Sequence, residues 1–116
     1  MLPDTNRLRS EKAIEQLFKS GRNVRGRILG MKLLPTSGPT RFAFIVSTKI
    51  SKSAVVRNRI KRQMREIVRP LLLRLQWPAD IALMAQGAAK DSDFSALRQE
   101  VVSLLIRARL LPPLGK

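Results

Sequence analysis

Apolar residues recur along the chain with two periods, and the changes of period mark its elements. Over residues 10–19, Ala13, Ile14, Leu17 and Phe18 share one face at helical spacing, with Ser10 ahead of them as N-cap and Gly21 behind as C-cap. Residues 27–34 (RILGMKLL) and 41–47 (RFAFIVS) read as strands. The PTSGPT between them is turn chemistry, so the two are expected to form an antiparallel hairpin. From residue 53 to 75 the period returns to that of a helix, ~33 Å long, with Val56, Ile60, Met64, Ile67 and Leu71 on one narrow arc and Pro70 as an expected bend. Trp77 and Pro78 end it, the tryptophan reading as core or hinge. Residues 80–85 (DIALMA) form a third strand. After the loop QGAAKDSD, a last helix over 94–110 carries the stripe Leu97, Val101, Leu104, Leu105 and Ala108, and Pro112 and Pro113 close the chain.

The order αββαβα predicts an α+β sandwich, a sheet covered by helices, in one domain over 1–116, since no repeat, low-complexity stretch or linker divides the chain. If strands 41–47 and 80–85 are parallel neighbours, the long helix is their crossover, and general sterics make such a crossover right-handed.

Charge changes this picture most in the long helix. Residues 57–66 (RNRIKRQMRE) hold five cations and one carboxylate. Arg57, Lys61 and Arg65 follow one flank of the apolar stripe, and Asn58, Arg62 and Arg69 fill the far side, where only solvent or a ligand can meet them. Like charges one turn apart repel by a few tenths of a kcal/mol per pair, so stability alone would have interleaved glutamates. A polyanion explains the pattern better. The net charge of +15 is concentrated in residues 1–74, with 18 basic and 4 acidic side chains, against 5 and 4 in residues 75–116. An interfacial membrane helix would set bulky Trp or Phe opposite its cations; this one has Ile, Met and Leu suited to a core. Nucleic acid is therefore the expected partner.

Composition excludes more than it suggests. With no cysteine and no histidine, disulfides, thiolate zinc sites, imidazole bases and serine or cysteine triads are all absent. Asp91 and Asp93 are the one close acidic pair, and at the mouth of a helix they read as capping and dipole compensation rather than as metal ligands. Apolar runs stop well short of the ~20 residues that span a bilayer, and the N-terminus lacks a signal-peptide core, so a soluble cytoplasmic protein is expected.

Residues 46–66, VSTKISKSAVVRNRIKRQMRE, resemble the signature of the bacterial ribonuclease P protein subunit: a strand ending in Val-Ser-x-Lys, a short basic connection, then Arg-Asn-Arg-x-Lys-Arg-x-x-Arg-Glu. The resemblance extends over RLRSEKAIEQLFKSGR (7–22), the DIALMA strand and the last helix. It implies a fold like that of ribosomal protein S5 domain 2 with a left-handed βαβ crossover, against the general rule, and the sequence leaves the hand open. It also implies a protein cofactor for a ribozyme that cleaves precursor tRNA to give the mature 5′ end, with magnesium held mainly by RNA phosphates and no catalytic protein side chain. Two surfaces follow from it. Arg57, Asn58, Arg59, Lys61, Arg62 and Arg65 match the motif that docks on the catalytic RNA, guanidinium forks suiting phosphates; the Asn58 amide either bonds RNA or ties the helix start. The single-stranded 5′ leader of the substrate would lie in a cleft with Ile14, Phe18, Phe44, Lys49 and Lys52, aromatic platforms and cations being what grips single strands. Phe42 and Phe44 share a strand face, so both enter the cleft or both join the core. The family commonly has an aromatic where this chain has Ile14, which can pack but cannot stack.

A structural ribosomal RNA-binding protein is the alternative, on pI, length and fold class. A DNA-binding regulator would want a helix-turn-helix or a basic region leading into heptads, and neither is present. A stand-alone nuclease lacks histidine and clustered carboxylates. Holoenzyme stoichiometry and leader preference are not written in the chain.

Overall fold

The computed structural model describes residues 2–113. A short 3-10 turn, Asp4–Asn6, leads into helix α1, Glu11–Ser20. Ser10 caps α1, its Oγ accepting from the Ala13 amide at 3.3 Å. Gly21 stops it in extended, not left-handed, backbone, its amide donating to Leu17 O at 2.8 Å. Glycine is needed there for space, because a Cβ would collide with that carbonyl.

Strands β1 (Arg22–Arg25), β2 (Leu29–Pro35) and β3 (Arg41–Ile45) follow, then helix α2 (Ala54–Val68), strand β4 (Ala79–Ala85) and helix α3 (Phe94–Arg107). Ser53 caps α2 through the Val56 amide at 3.3 Å, and Asp93 caps α3 through the Ala96 amide at 2.8 Å. Asp93 thus holds the capping role read from sequence.

The sheet order is β1-β2-β4-β3. The expected hairpin between 27–34 and 41–47 does not form. β4 lies between those strands, antiparallel to β2 (Leu33↔Ile81) and parallel to β3 (Phe44↔Leu83). Every residue from Ala79 to Leu83 is buried, so β4 needs a neighbour on each edge, whereas β2 and β3 can leave part of one face open. The actual hairpin is β1–β2, Arg25 opposite Gly30. β1 escapes a pattern reading because Val24 is its only buried residue. The α+β sandwich stands, with four strands where three were read, and α2 is the crossover between β3 and β4 as expected.

The long helix also departs from expectation at Pro70. The α-helix ends at Val68 and a 3-10 helix, Arg69–Arg74, continues the chain. Proline supplies no amide for the α ladder and its ring crowds the carbonyl four residues back, so the helix changes type rather than bending. Among the described residues no helix is long and apolar enough to cross a membrane.

Strand alternation divides the sheet. On one face Leu29, Met31, Leu33, Phe42, Ile81 and Leu83 pack with Ile60, Met64 and Ile67 of α2 and Leu97, Val101, Leu104 and Leu105 of α3, forming the main core. On the other, Ala82, Ala43, Ile45 and Leu34 meet Leu8, Ala13, Ile14 and Leu17. Trp77 packs half-buried against the main core, its indole Nε1 donating to Arg109 O at 3.0 Å. Glu100 of α3 accepts from the Ile28 and Leu29 amides at 2.7 and 3.2 Å, holding the β1–β2 turn to the helix layer.

Asp80 is the only buried charged side chain among the described residues. Arg41, its register partner on β3, grips it with both ends of the fork, Nε to Oδ1 at 2.9 Å and Nη2 to Oδ2 at 2.8 Å. The hydrogen bond to Asp80 raises the guanidinium above its ordinary pKa; burial opposes this and the Asp80 charge adds to it. A raised folded pKa on a cation stabilises at every pH below the ordinary arginine value and fades only above it, so this contribution is constant across the working range. Arg41→Met strands the Asp80 carboxylate. It should cost about 2–3 kcal/mol, at or below the ~3–5 kcal/mol of a fully buried broken pair because Arg41 keeps 33% of its side chain in water. Urea melts should show a lower midpoint at unchanged slope; an unshifted midpoint would mean the pair contributes nothing.

Candidate nucleic-acid interface

The polar side chains of α2 divide into four directions. Asn58 and Arg62 point outward and are exposed. Ser53 performs the capping, and Asn58 makes no side-chain hydrogen bond among the described residues, which removes the helix-tying role from its two readings. Arg57 turns back, Nη1 donating to Ser51 O at 2.9 Å, and so ties the basic connection to the helix start. Arg59 turns toward the loop before α3, Nη2 donating to Lys90 O at 3.3 Å. Lys61 and Arg65 lean over the edge of β3.

None of Arg57, Arg59, Lys61, Arg62 and Arg65 has a carboxylate partner among the described residues. The ion pairs there are Arg7 and Arg9 with Asp4, Arg41 with Asp80, and Arg69 with Glu66. The α2 stripe behaves as its spacing predicts: Ile60, Met64 and Ile67 are buried, Leu71 is buried in the following 3-10 turn, and Val56 packs at the margin. A core-anchored helix therefore presents a row of uncompensated charge to solvent.

The expected leader cleft separates into two places. β3 is an edge strand, and along it runs a cavity of about 480 Å³ touched by Arg7, Arg9, Ile14, Phe44, Lys61 and Arg65. Phe44 and Ile45 both line it, although alternation sends them to opposite faces, so the cavity wraps the edge. The N-terminal segment covers only the start of that edge, Leu8 N donating to Phe42 O at 2.9 Å. Phe18 lies elsewhere. It is 37% exposed on α1, with the Lys32 ammonium 5.7 Å from its ring centroid.

Phe42 and Phe44 share a face as expected, but it is the α2 face. Phe42 is fully in the core and Phe44 packs against it, centroids 5.9 Å apart and planes 5° from parallel. The Arg65 guanidinium stands over the Phe44 ring at 6.0 Å. Phe18 and Phe44 thus lie on opposite sides of the sheet and form no joint platform. Strand parity shows that the two phenylalanines of β3 agree with each other; which helix covers them is decided by packing. Lys49 and Lys52 are exposed in the 46–53 connection.

Lys32 is the residue that the sequence pattern does not single out. On β2 it alternates with Met31 and Leu33, and its register neighbour Ala82 places it on the α1 face, beside Phe18. The alternation is visible in the sequence; the pairing is not.

Among the described residues no three acidic side chains come together as a metal site. Asp4, Glu66 and Asp80 are paired with arginines, and Asp93 and Glu100 are bonded to backbone amides.

The family model described as Ribonuclease P matches residues 2–109. The ribonuclease P protein component of a Pseudanabaena species is 36% identical over 113 residues, covering 96% of this chain and 97% of that protein. The corresponding protein of Symbiobacterium thermophilum is 41% identical over 107 residues, covering 90% and 92%. In three dimensions, the RNase P protein of Staphylococcus aureus superposes with a TM-score of 0.84 at 24% identity, over 91% of this chain and 97% of the other, a likeness of fold.

The two phenylalanine environments make a direct test. Phe42→Ala should cost about 3–4 kcal/mol, as core phenylalanine truncations do. Phe18→Ala should cost under ~1 kcal/mol, since much of its area is already in water. Equal losses in thermal melts would contradict this placement.

Proposed function

The chain belongs to the ribonuclease P protein family and is the protein subunit of that tRNA-processing endoribonuclease, and from this premise we propose how its surfaces divide the work. The solvent-facing sides of α2, with Arg57, Asn58, Arg59, Lys61, Arg62 and Arg65, dock on the catalytic RNA. The observation that carries this is the row of α2 cations without carboxylate partners among the described residues, charge that only a polyanion balances.

The 5′ leader of precursor tRNA is engaged on the two sides of α1. Along the β3 edge, Arg7 and Arg9 offer charge above Ile14 and Phe44, next to Lys61 and Arg65 of the dock. On the sheet face, Phe18 offers a stacking surface next to Lys32. Lys49 and Lys52 extend the charge along the connection between β3 and α2. Ile14 supports packing but no stack, and the Phe44 ring already carries Phe42 and Arg65. Leader affinity in this reading therefore rests on charge and on a single free aromatic, Phe18.

Cleavage belongs to the RNA subunit in this reading, with magnesium held mainly by RNA phosphates, and the protein acts by binding and positioning. Neutralising phosphate repulsion between the two RNAs lowers the magnesium their association needs. The complex works in the cytoplasm.

Precursor-tRNA cleavage should be measured at low magnesium with catalytic RNA alone, protein alone, and both together. Stimulation by the protein, with no cleavage by protein alone, is expected; an unchanged RNA-only rate would remove the main support. The double variant Arg59→Ala/Arg62→Ala should weaken catalytic-RNA binding and reduce the log-log salt slope by roughly one for each phosphate that the removed guanidinium groups neutralise. Phe18→Ala should leave that binding intact and weaken affinity for leader-bearing substrate by roughly tenfold, the order of one stacked base. If both variants show one common defect, the two-surface division is wrong.

A further inference from the structure

On the flank of α2 away from β3, Arg59 and Gln63 stand one turn apart and face the start of α3. Together with Lys90, Asp91, Asp93 and Phe94 they line a cavity of about 350 Å³. Four observations there bear on what the cavity could hold. Phe94 is 42% exposed, one of the few large apolar side chains left so open to solvent. As the residue just after the Asp93 cap it occupies no stapling position, which precedes the cap. Gln63 Oε1 is buried without a hydrogen-bond partner among the described residues, an acceptor awaiting a donor. Arg59 spends one bond on the Lys90 carbonyl, which holds its guanidinium and the Lys90 segment together at the cavity rim.

Two carboxylates beside the ring decide what kind of group fits. Asp91 and Asp93 would repel a phosphate in the cavity itself but accept readily from an exocyclic amine, as acidic side chains do from cytosine. Asp93 gives Oδ1 to the Ala96 amide and keeps its other oxygen. An aromatic face, amide and carboxylate acceptors, and two cations at the rim together describe a seat for a base with its phosphates outside.

We propose that this corner between α2 and α3 seats one unpaired, amino-bearing nucleotide of the catalytic RNA, its base stacked on Phe94 and its flanking phosphates held by Arg59 and Lys90. The inference rests on the reading of α2 as the catalytic-RNA dock, and it extends that dock to a segment some thirty residues further along the chain.

Equilibrium binding of the full chain to catalytic RNA over a salt series tests it. Phe94→Ala and Phe94→Leu should each weaken binding by roughly tenfold at an unchanged salt slope, because the stack goes while every phosphate keeps its cation. Phe94→Trp should bind at least as well as the parent. Lys90→Ala should reduce the slope by about one. Parental affinity in Phe94→Leu, which keeps apolar bulk and fold, overturns the proposal. So does a loss confined to precursor tRNA binding by the assembled holoenzyme, which would assign the corner to substrate. Arg62→Ala separates the two levels: a normal Arg62→Ala sinks the dock itself, whereas a weakened Arg62→Ala beside an intact Phe94→Leu sinks only the base seat.

Discussion

A strand can pair in parallel with a later one only if the chain first returns to the starting end, and between β3 and β4 that return is made by α2. The consequences reach most of the molecule. α2 must lie on a sheet face, so Ile60, Met64 and Ile67 are spent on the core and the remaining sides of the helix are left to solvent. Inserting β4 beside β3 also drives β2 to the far edge of β4, leaves the other edge of β3 open, and creates the cavity that Lys61 and Arg65 overhang. Arg41 and Asp80 sit at the first register pair of this parallel contact, and a one-residue slip would strand a buried carboxylate.

Stability and binding are separated by face. The buried layers need no charge apart from the Arg41–Asp80 pair, and that pair is satisfied at both oxygens. The exposed layers hold cations that weaken the free protein through mutual repulsion and gain a counterpart only with a polyanion. This arrangement is tolerable because α2 is anchored by apolar contacts and a serine cap, neither of which depends on salt or on the missing counter-charge. A basic helix without such an anchor would fray.

Local chemistry is legible where one short segment carries the whole signal. The caps at Ser10 and Asp93, the stripes of α2 and α3, and the shared face of Phe42 and Phe44 all follow from the sequence, since each depends only on neighbours a few residues away. The departures share a cause of the opposite kind. Good turn residues suggest a hairpin between β2 and β3, but turn residues permit a reversal without specifying which strands then pair. β1 is hidden because an edge strand with one buried side chain has no periodicity to show. Pro70 marks a disturbance in the sequence itself, but not its outcome, a 3-10 helix with Leu71 buried in the core instead of a bend.

The candidate site shows the same division. The family signature and the charged sides of α2 are present in residues 46–66 alone, because periodicity and charge along one helix settle which sides are core and which are free. The composition of the cleft is not. Phe18 and Phe44 differ in which face of the sheet they occupy, Lys32 reaches Phe18 only through strand register, and Arg59 meets Lys90 only because α3 packs against α2. By itself the sequence determined the elements that are helical or apolar within a turn or two, together with the sign of the charged surface. Tertiary structure alone decided which elements are neighbours, because pairing between distant segments follows from burying β4 on both edges and both faces, a demand that the whole core imposes and that no segment states locally.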